Sequence, residues 1–444
     1  MRTAVIALAC SAMPAGAVDL VESYLAAQKH DPIVASAEAS HTGGIEVLRQ
    51  AQAQLGPGIK ATGSAGYLQT HLLGFAPSTG TTLQGALSLD QPVFHHADAI
   101  AVDQAQSTVL RLDSILAGAQ EDLILRVAQA YFNVLLAQDL LEATLREESS
   151  IGEQLARAKR SYEVGTVPIT DVTDAQARYD VSAAGESQNR SDLELAKRAY
   201  EIITGLVPEP LAGVSVAATL RPPQPNNLQY WIAEAQSHSP AVVQAMATYD
   251  VQQREIDHSR AARYPTVDLV ASLSKETFSH KDLNVQGTGG KTAEIGVLVS
   301  LTVWDGGMIN SHVRQALAGA DQAHDDLQSS RDAAVQAARQ YYLGTNSAVD
   351  QVRALEKAAV SGRVSLEGSL RGQEVGTRTA IDVLNARTAL FQTLRQLAAE
   401  RYTVLLDTLQ LKAATGNLTA HDLESLTSLS APAGLFAAEP PMPH

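Results

Sequence analysis

Residues 162–180 read YEVGTVPITDVTDAQARYD, and residues 373–391 read QEVGTRTAIDVLNARTALF. Val164-Gly165-Thr166 matches Val375-Gly376-Thr377, and Asp171-Val172 matches Asp382-Val383, an offset of 382 − 171 = 211 residues. In each copy a helical pattern stops at glycine, the chain turns, and a second helical pattern starts. Gly165 and Gly376 suit the left-handed residue just past a helix C-terminus. Thr170-Asp171 and Thr379 suit the cap of the helix that follows. Each copy reads as a helical hairpin, and the two hairpin ends are expected to be the working end of the molecule.

The same offset returns along the chain. Asp31-Pro32 recurs as Ser239-Pro240, Phe94 as Trp304, and Tyr131-Phe132 as Tyr341-Tyr342. A shift that stays near one value over this length marks two structural repeats. They are expected at 18–208 and 227–416, with a Pro- and Asn-rich linker at 209–226 and a tail at 417–444. Aromatics make up only 5% of an otherwise 45% apolar chain, which suits long helices more than a dense globular core. The net charge of −15 argues against nucleic acid, whose phosphates need a basic surface. Cys10 is the single cysteine, so no internal disulfide is possible. It lies in residues 1–17, where Arg2, a short apolar core and Ala15-Gly16-Ala17 have the pattern of a secretory signal peptide. No later apolar run reaches the ~18 residues of a membrane-spanning helix. An exported chain of this kind is periplasmic, secreted, or an outer-membrane β-barrel.

Within each repeat the period changes twice. Short helices come first, at about 19–30 and 227–237. Ile59, Ala61, Gly63, Ala65 and Tyr67 then alternate with polar or small residues, and Leu83, Leu87, Leu89 and Val93 do the same, so strands are expected at about 59–70 and 82–94. The second repeat alternates more cleanly, with Ala293, Ile295, Val297, Val299, Leu301 and Val303 on one face, giving strands at about 266–278 and 292–304. Phe94 and Trp304 close the second strand of each pair, as an aromatic girdle at a membrane edge would. After each pair the helical period returns for nearly seventy residues, at about 96–164 and 306–374, followed by return helices at about 169–205 and 379–415. The seam Leu112, Leu116, Ala119, Leu123, Val127, Ala130, Val134 has coiled-coil spacing with one stutter. Such a helix spans roughly 100 Å, too long for a compact domain and natural in a tube.

Two strands of about twelve residues per repeat can cross a bilayer core. Four strands cannot close a barrel, and open edges cannot face lipid. Several copies must therefore share one barrel. Two copies give eight strands, too narrow for an open channel; three give twelve. The fold class expected is mixed α and β, with an outer-membrane β-barrel of four strands per chain continuous with a long periplasmic helical barrel, in a homotrimer.

The stretches AYFNVLLAQDLL, WDGGMINSHVRQA, YEVGTVPITDVTDAQARYD and VGTRTAIDVLNARTAL resemble the TolC family of outer-membrane channel-tunnels over nearly the whole chain. The resemblance implies a trimer with a twelve-stranded barrel in outer-membrane lipid, a periplasmic α-barrel and an equatorial belt. It implies two partners, a periplasmic membrane-fusion adaptor and an inner-membrane transporter, either an ABC transporter or an RND or MFS pump. It also implies a periplasmic gate whose positions fall on Thr170, Asp171, Arg378 and Gln373, with Arg378 reaching to the Thr170/Asp171 corner. The plainer reading of Arg378 is an i,i+4 pair with Asp382. Asp382 would project inward from three chains as a selectivity ring, weakened because Asn385 stands where the family commonly has a second Asp.

No catalytic set, cofactor or metal site is expected. GTGGKT at 287–292 precedes a strand rather than a helix and lacks the leading glycine of a phosphate loop, and the adjacent His95 and His96 point apart. Three functions stay open: the outer-membrane component of type I protein secretion, placed first; the same duct serving small-molecule efflux; and a periplasmic coiled-coil adaptor, which would lack four amphipathic strands.

Overall fold

In both repeats the apolar period drops from about 3.6 to 2 where helix gives way to the long strands. In a computed structural model of the chain, the described residues are 18–70, 78–208, 211–214, 220–280, 285–427 and 430–431. The signal-like segment 1–17 lies outside them. In order the elements are α1 (Leu20–His30), α2 (Pro32–Ala53), β1 (Gly58–Thr70), β2 (Ser78–Phe94), α3 (His96–Glu163), α4 (Ile169–Thr204) and β3 (Gly213–Val214). The second repeat supplies α5 (Leu228–His238), α6 (Pro240–Ala261), β4 (Thr266–His280), β5 (Val285–Ser300), α7 (Met308–Glu374) and α8 (Ala380–Ala414), and α9 (Ala420–Thr427) and β6 (Ser430–Ala431) follow.

The sheet order is β1-β2-β4-β5, antiparallel throughout. The central pair, β2 with β4, runs from Gly80 opposite His280 to Phe94 opposite Val267 and so joins the two repeats. β1 and β5 each have one edge that pairs with no strand among the described residues. The strands start earlier than the alternation suggests, at Ser78 and Val285, because Gly- and Thr-rich residues pair through the backbone without an apolar signature. β5 also stops early. Its last pair is Thr266 with Ser300, and the next partner on β4's side would be Pro265, which has no N–H to give. Trp304 is therefore not the end of a strand, as expected; it lies four residues beyond one, fully in the open. Phe94 does end β2 and stacks on His96, with ring centroids 6.4 Å apart.

The chain packs as two compact units that cut across the sequence repeats. One holds residues 36–116 and 241–331, with the sheet, most of α2 and α6, and the first parts of α3 and α7. There Ile256 packs with Ala316 and Ala320, the small-residue seam of α7. The other holds the described residues up to 35 with 117–240 and from 332 onward. Its core joins Leu20, Tyr24 and Ala27 of α1 to Val127, Tyr131 and Val134 of α3, Tyr200 of α4, and Tyr402 and Leu409 of α8. Each apolar row on α3 is buried here: Leu123, Val127 and Val134 on one, Ile124, Tyr131 and Leu135 on the other. α9, which the tail at 417–444 concealed, is fixed by a Thr419–Asp422 cap and buries Leu423 in the same core.

Candidate functional site: the hairpin ends

The two repeated turns are the same object. Gly165 and Gly376 take φ of 75° and 77°, where a Cβ would be strained. The N–H of Thr166 returns to the Ser161 carbonyl at 2.9 Å, and that of Thr377 to the Gly372 carbonyl at 2.8 Å; each threonine hydroxyl bonds the same carbonyl as its own N–H. This six-residue closure absorbs orphan carbonyls at the helix end and leaves Val164 and Val375 standing out at the tips.

The helices that leave the turns start differently. Thr379 is the N-cap of α8: its hydroxyl accepts from the Asp382 N–H, while Asp382 Oδ2 accepts from the Thr379 N–H at 2.9 Å and from its hydroxyl at 2.9 Å. The Thr379 N–H bond holds the Asp382 carboxyl below the usual carboxylate range, helped by the nearby Arg378 charge. At the other hairpin Pro168 is the N-cap of α4, with no side-chain bond. Thr170 and Asp171 therefore sit inside the first turn and do not cap it. Proline sets the entry angle, and the Asp171 N–H reaches the Pro168 carbonyl instead.

Of the expected gate residues, Gln373 is brought to the other hairpin, where its Oε1 accepts from Gln154 of α3 at 3.3 Å. Arg378 is exposed and, among the described residues, ion-pairs neither with Asp171 nor with Asp382. The bond that does cross between α4 and α8 comes from Arg178, which donates to Asn385 Oδ1 at 2.7 Å.

Further along α8 the hairpins are laced by side chains that the sequence reading passed over. Arg387 donates to the Ser150 carbonyl at 2.5 Å, Arg395 pairs with Glu147 at 2.6 Å, and the Tyr402 hydroxyl donates to Asp139 at 2.8 Å. Arg387 is 4% exposed, and burial lowers its pKa from the ordinary guanidinium value. A signal for it was available. Val383, Leu384, Leu390, Phe391 and Leu394 make a helical apolar stripe, and Arg387 stands in that stripe.

At the start of α3, His95 lies between two carboxylates, with Nδ1 2.7 Å from Asp98 and Nε2 2.8 Å from Asp268. Burial works against its charge, but the Asp98 hydrogen bond and the Asp268 charge outweigh it and raise the pKa. Each ring nitrogen already faces a carboxylate, and no group of metal-ligating side chains occurs among the described residues.

An antiparallel sheet with an apolar face and, among the described residues, an unpartnered edge on each outer strand, in a chain that also carries two helices of nearly seventy residues, is what a subunit of an outer-membrane channel-tunnel requires. The barrel closes only when copies join edge to edge. A family model described as outer membrane efflux protein matches residues 24–205 and 231–417, and the chain belongs to that family, the TolC family. Outer membrane protein TolC of Escherichia coli K12 is 31% identical over 424 residues, covering 93% of this chain and 85% of the relative. Alkaline protease secretion protein AprF of Pseudomonas aeruginosa is 26% identical over 92% of this chain and 86% of its own. The CmeC outer membrane channel of Campylobacter jejuni has the same fold, with a TM-score of 0.80 at 17% identity over 92% of this chain and 89% of that one. The protein is thus an export channel of the outer membrane with a large periplasmic portion, and not an enzyme. Channels of this family work as trimers with a periplasmic adaptor and an inner-membrane transporter.

Proposed function

We propose that the chain is the outer-membrane duct of a tripartite pump that exports small molecules, joined through a periplasmic adaptor to an RND or MFS transporter. The observation that carries this reading is the match to the outer membrane efflux protein model along both repeats. It reverses the order given by the sequence alone, which put protein secretion first. That second reading, with an ABC transporter as partner, is supported by the likeness to a protease secretion protein over 92% of the chain. Deleting the gene in its own host separates the two. Efflux requires a several-fold rise in accumulation of a fluorescent amphiphilic dye with an unchanged set of secreted proteins. Loss of one secreted protein at unchanged dye accumulation would overturn it in favour of secretion.

The gate belongs to the same proposal. Arg378 is solvent-exposed, so its guanidinium fork is available to the Thr170/Asp171 corner when the tips of the trimer converge. Gln373, tied to Gln154, steadies the turn from which Arg378 projects. Asp382 stays ionised because its own helix start stabilises the carboxylate, and it forms a cation-favouring ring that the neutral Asn385 one turn later leaves weak. Arg378→Ala or Asp171→Ala is expected to raise single-channel conductance of trimers in planar bilayers several-fold. Unchanged conductance in both variants would remove these residues from the lock.

A further inference from the structure

A half-open pocket of about 600 Å³, exposed to solvent along Ala177 and Val181, lies between α3, α4 and α8, within the volume range of small-molecule sites. All of these lining residues belong to one compact unit. Leu140 and Ile151 of α3 and Val181 of α4 form apolar wall. On α4 the small residues Ala177, Ser182 and Gly185 face it, so that helix leaves the space unfilled.

Two features separate this space from loose packing. The first is Ser182, which is 8% exposed and whose Oγ is buried with no hydrogen-bond partner. Leaving a hydroxyl unmatched in a protein interior costs about 1–3 kcal/mol, so such a group is expected to have an occupant to bond. The second is charge. Arg178 and Arg395 both line the cavity, and only Glu147 opposes them, in a chain whose net charge is −15. Arg395 gives Nη1 to Glu147 and Arg178 gives Nη2 to Asn385. A guanidinium has five N–H donors, so each keeps donors for a guest.

We propose that this cavity binds a small amphipathic anion, with its apolar body against Leu140, Ile151 and Val181, its anionic group between Arg178 and Arg395, and a polar atom on Ser182. The site lies in the helical wall, joined to the ring position Asn385 through Arg178, and does not depend on which cargo the duct carries. Its guest bridges α3, α4 and α8 where the two hairpins meet.

The test uses full-length trimers in lipid nanodiscs and titration calorimetry with naphthalene-2-sulfonate as the anion and 2-naphthyltrimethylammonium as its charge-reversed counterpart. The anion is expected to bind at one site per chain and at least about tenfold more tightly than the cation, as a site with net positive charge requires. Gly185→Leu fills the space. A Cβ there meets only Thr144 Cγ2 at 3.7 Å, and leucine favours the helix, so folding is preserved while binding is lost. Ser182→Leu is expected to do the same, and Arg178→Gln to weaken the anion several-fold with little change for the cation. Equal affinity for the two probes, or unchanged anion binding in folded Gly185→Leu trimers, would overturn the proposal.

Discussion

Val297→Arg is expected to stop the protein from assembling in the outer membrane, while Gly296→Arg, one residue away, leaves assembly intact. Val297 lies on the apolar face of β5 with Ile295 and Val299, and all three are widely exposed in the single chain. Val297 pairs with Leu269 of β4, so the apolar face continues across the hairpin. An arginine on the lipid face near the bilayer centre costs about 2–4 kcal/mol. A barrel built from three chains carries it three times, or roughly 6–12 kcal/mol, comparable to the whole folding stability of a domain. Gly296 points the other way. A Cβ built there meets nothing within 4 Å, so a long side chain has room on the face opposite the lipid. Heat-modifiable trimers in outer-membrane fractions report the result. If both variants assemble alike, or fail alike, the two faces of β5 do not separate lipid from lumen.

That prediction rests on an alternation visible in the residues themselves, and much else was equally visible. The Val-Gly-Thr turns, the switch from period 3.6 to 2 and back, and the two seams of α3 are local patterns, and the chain folds locally where they occur. What was hidden depends on distant partners. The β2–β4 pairing that joins the repeats has no signature in either strand alone. The early end of β5 is set by Pro265, more than thirty residues upstream in sequence and opposite only in the sheet. Thr170 and Asp171 looked like caps because their residue types favour that role, but Pro168 two residues earlier takes it. Arg178 and Arg395 carry no signal of their own in the sequence; their roles appear only once α8 is set beside α4 and α3. Asp382 carried two compatible readings, and its position three residues after a threonine decides that it closes a capping box.

Arg126→Ala is expected to be among the most destabilising single changes outside the barrel. Asp31 ends α1, is 4% exposed, and caps the start of α2 by accepting from the Ile33 N–H at 3.0 Å and the Val34 N–H at 2.9 Å. Arg126 of α3 clamps the same carboxylate, with Nη1 at 2.5 Å from one oxygen and Nη2 at 3.2 Å from the other. Removing one partner of a buried pair costs about 3–5 kcal/mol, because the remaining charge stays desolvated. Arg126 keeps some solvent contact and Asp31 keeps two backbone donors, so the lower end, about 3 kcal/mol per chain, is expected. The second repeat is its internal contrast: Ser239 stands at the matching corner and Gln336 at the matching helix position, with no charge to neutralise. Asp31→Asn in the Arg126→Ala background should therefore recover much of the loss, since asparagine still caps a helix and carries no charge. The pH dependence follows from the direction of the shift. The Arg126 hydrogen bond holds the Asp31 carboxyl below its ordinary range. Its contribution is thus complete above the unfolded value of roughly 3.9 and vanishes as pH falls through the lower native value. Trimer dissociation temperatures of wild type and Arg126→Ala should differ by a constant amount from pH 7 to about 5 and converge below about 4. A gap that persists undiminished in acid would mean that Arg126 acts by packing its stem against α1, and that the charge pair contributes nothing.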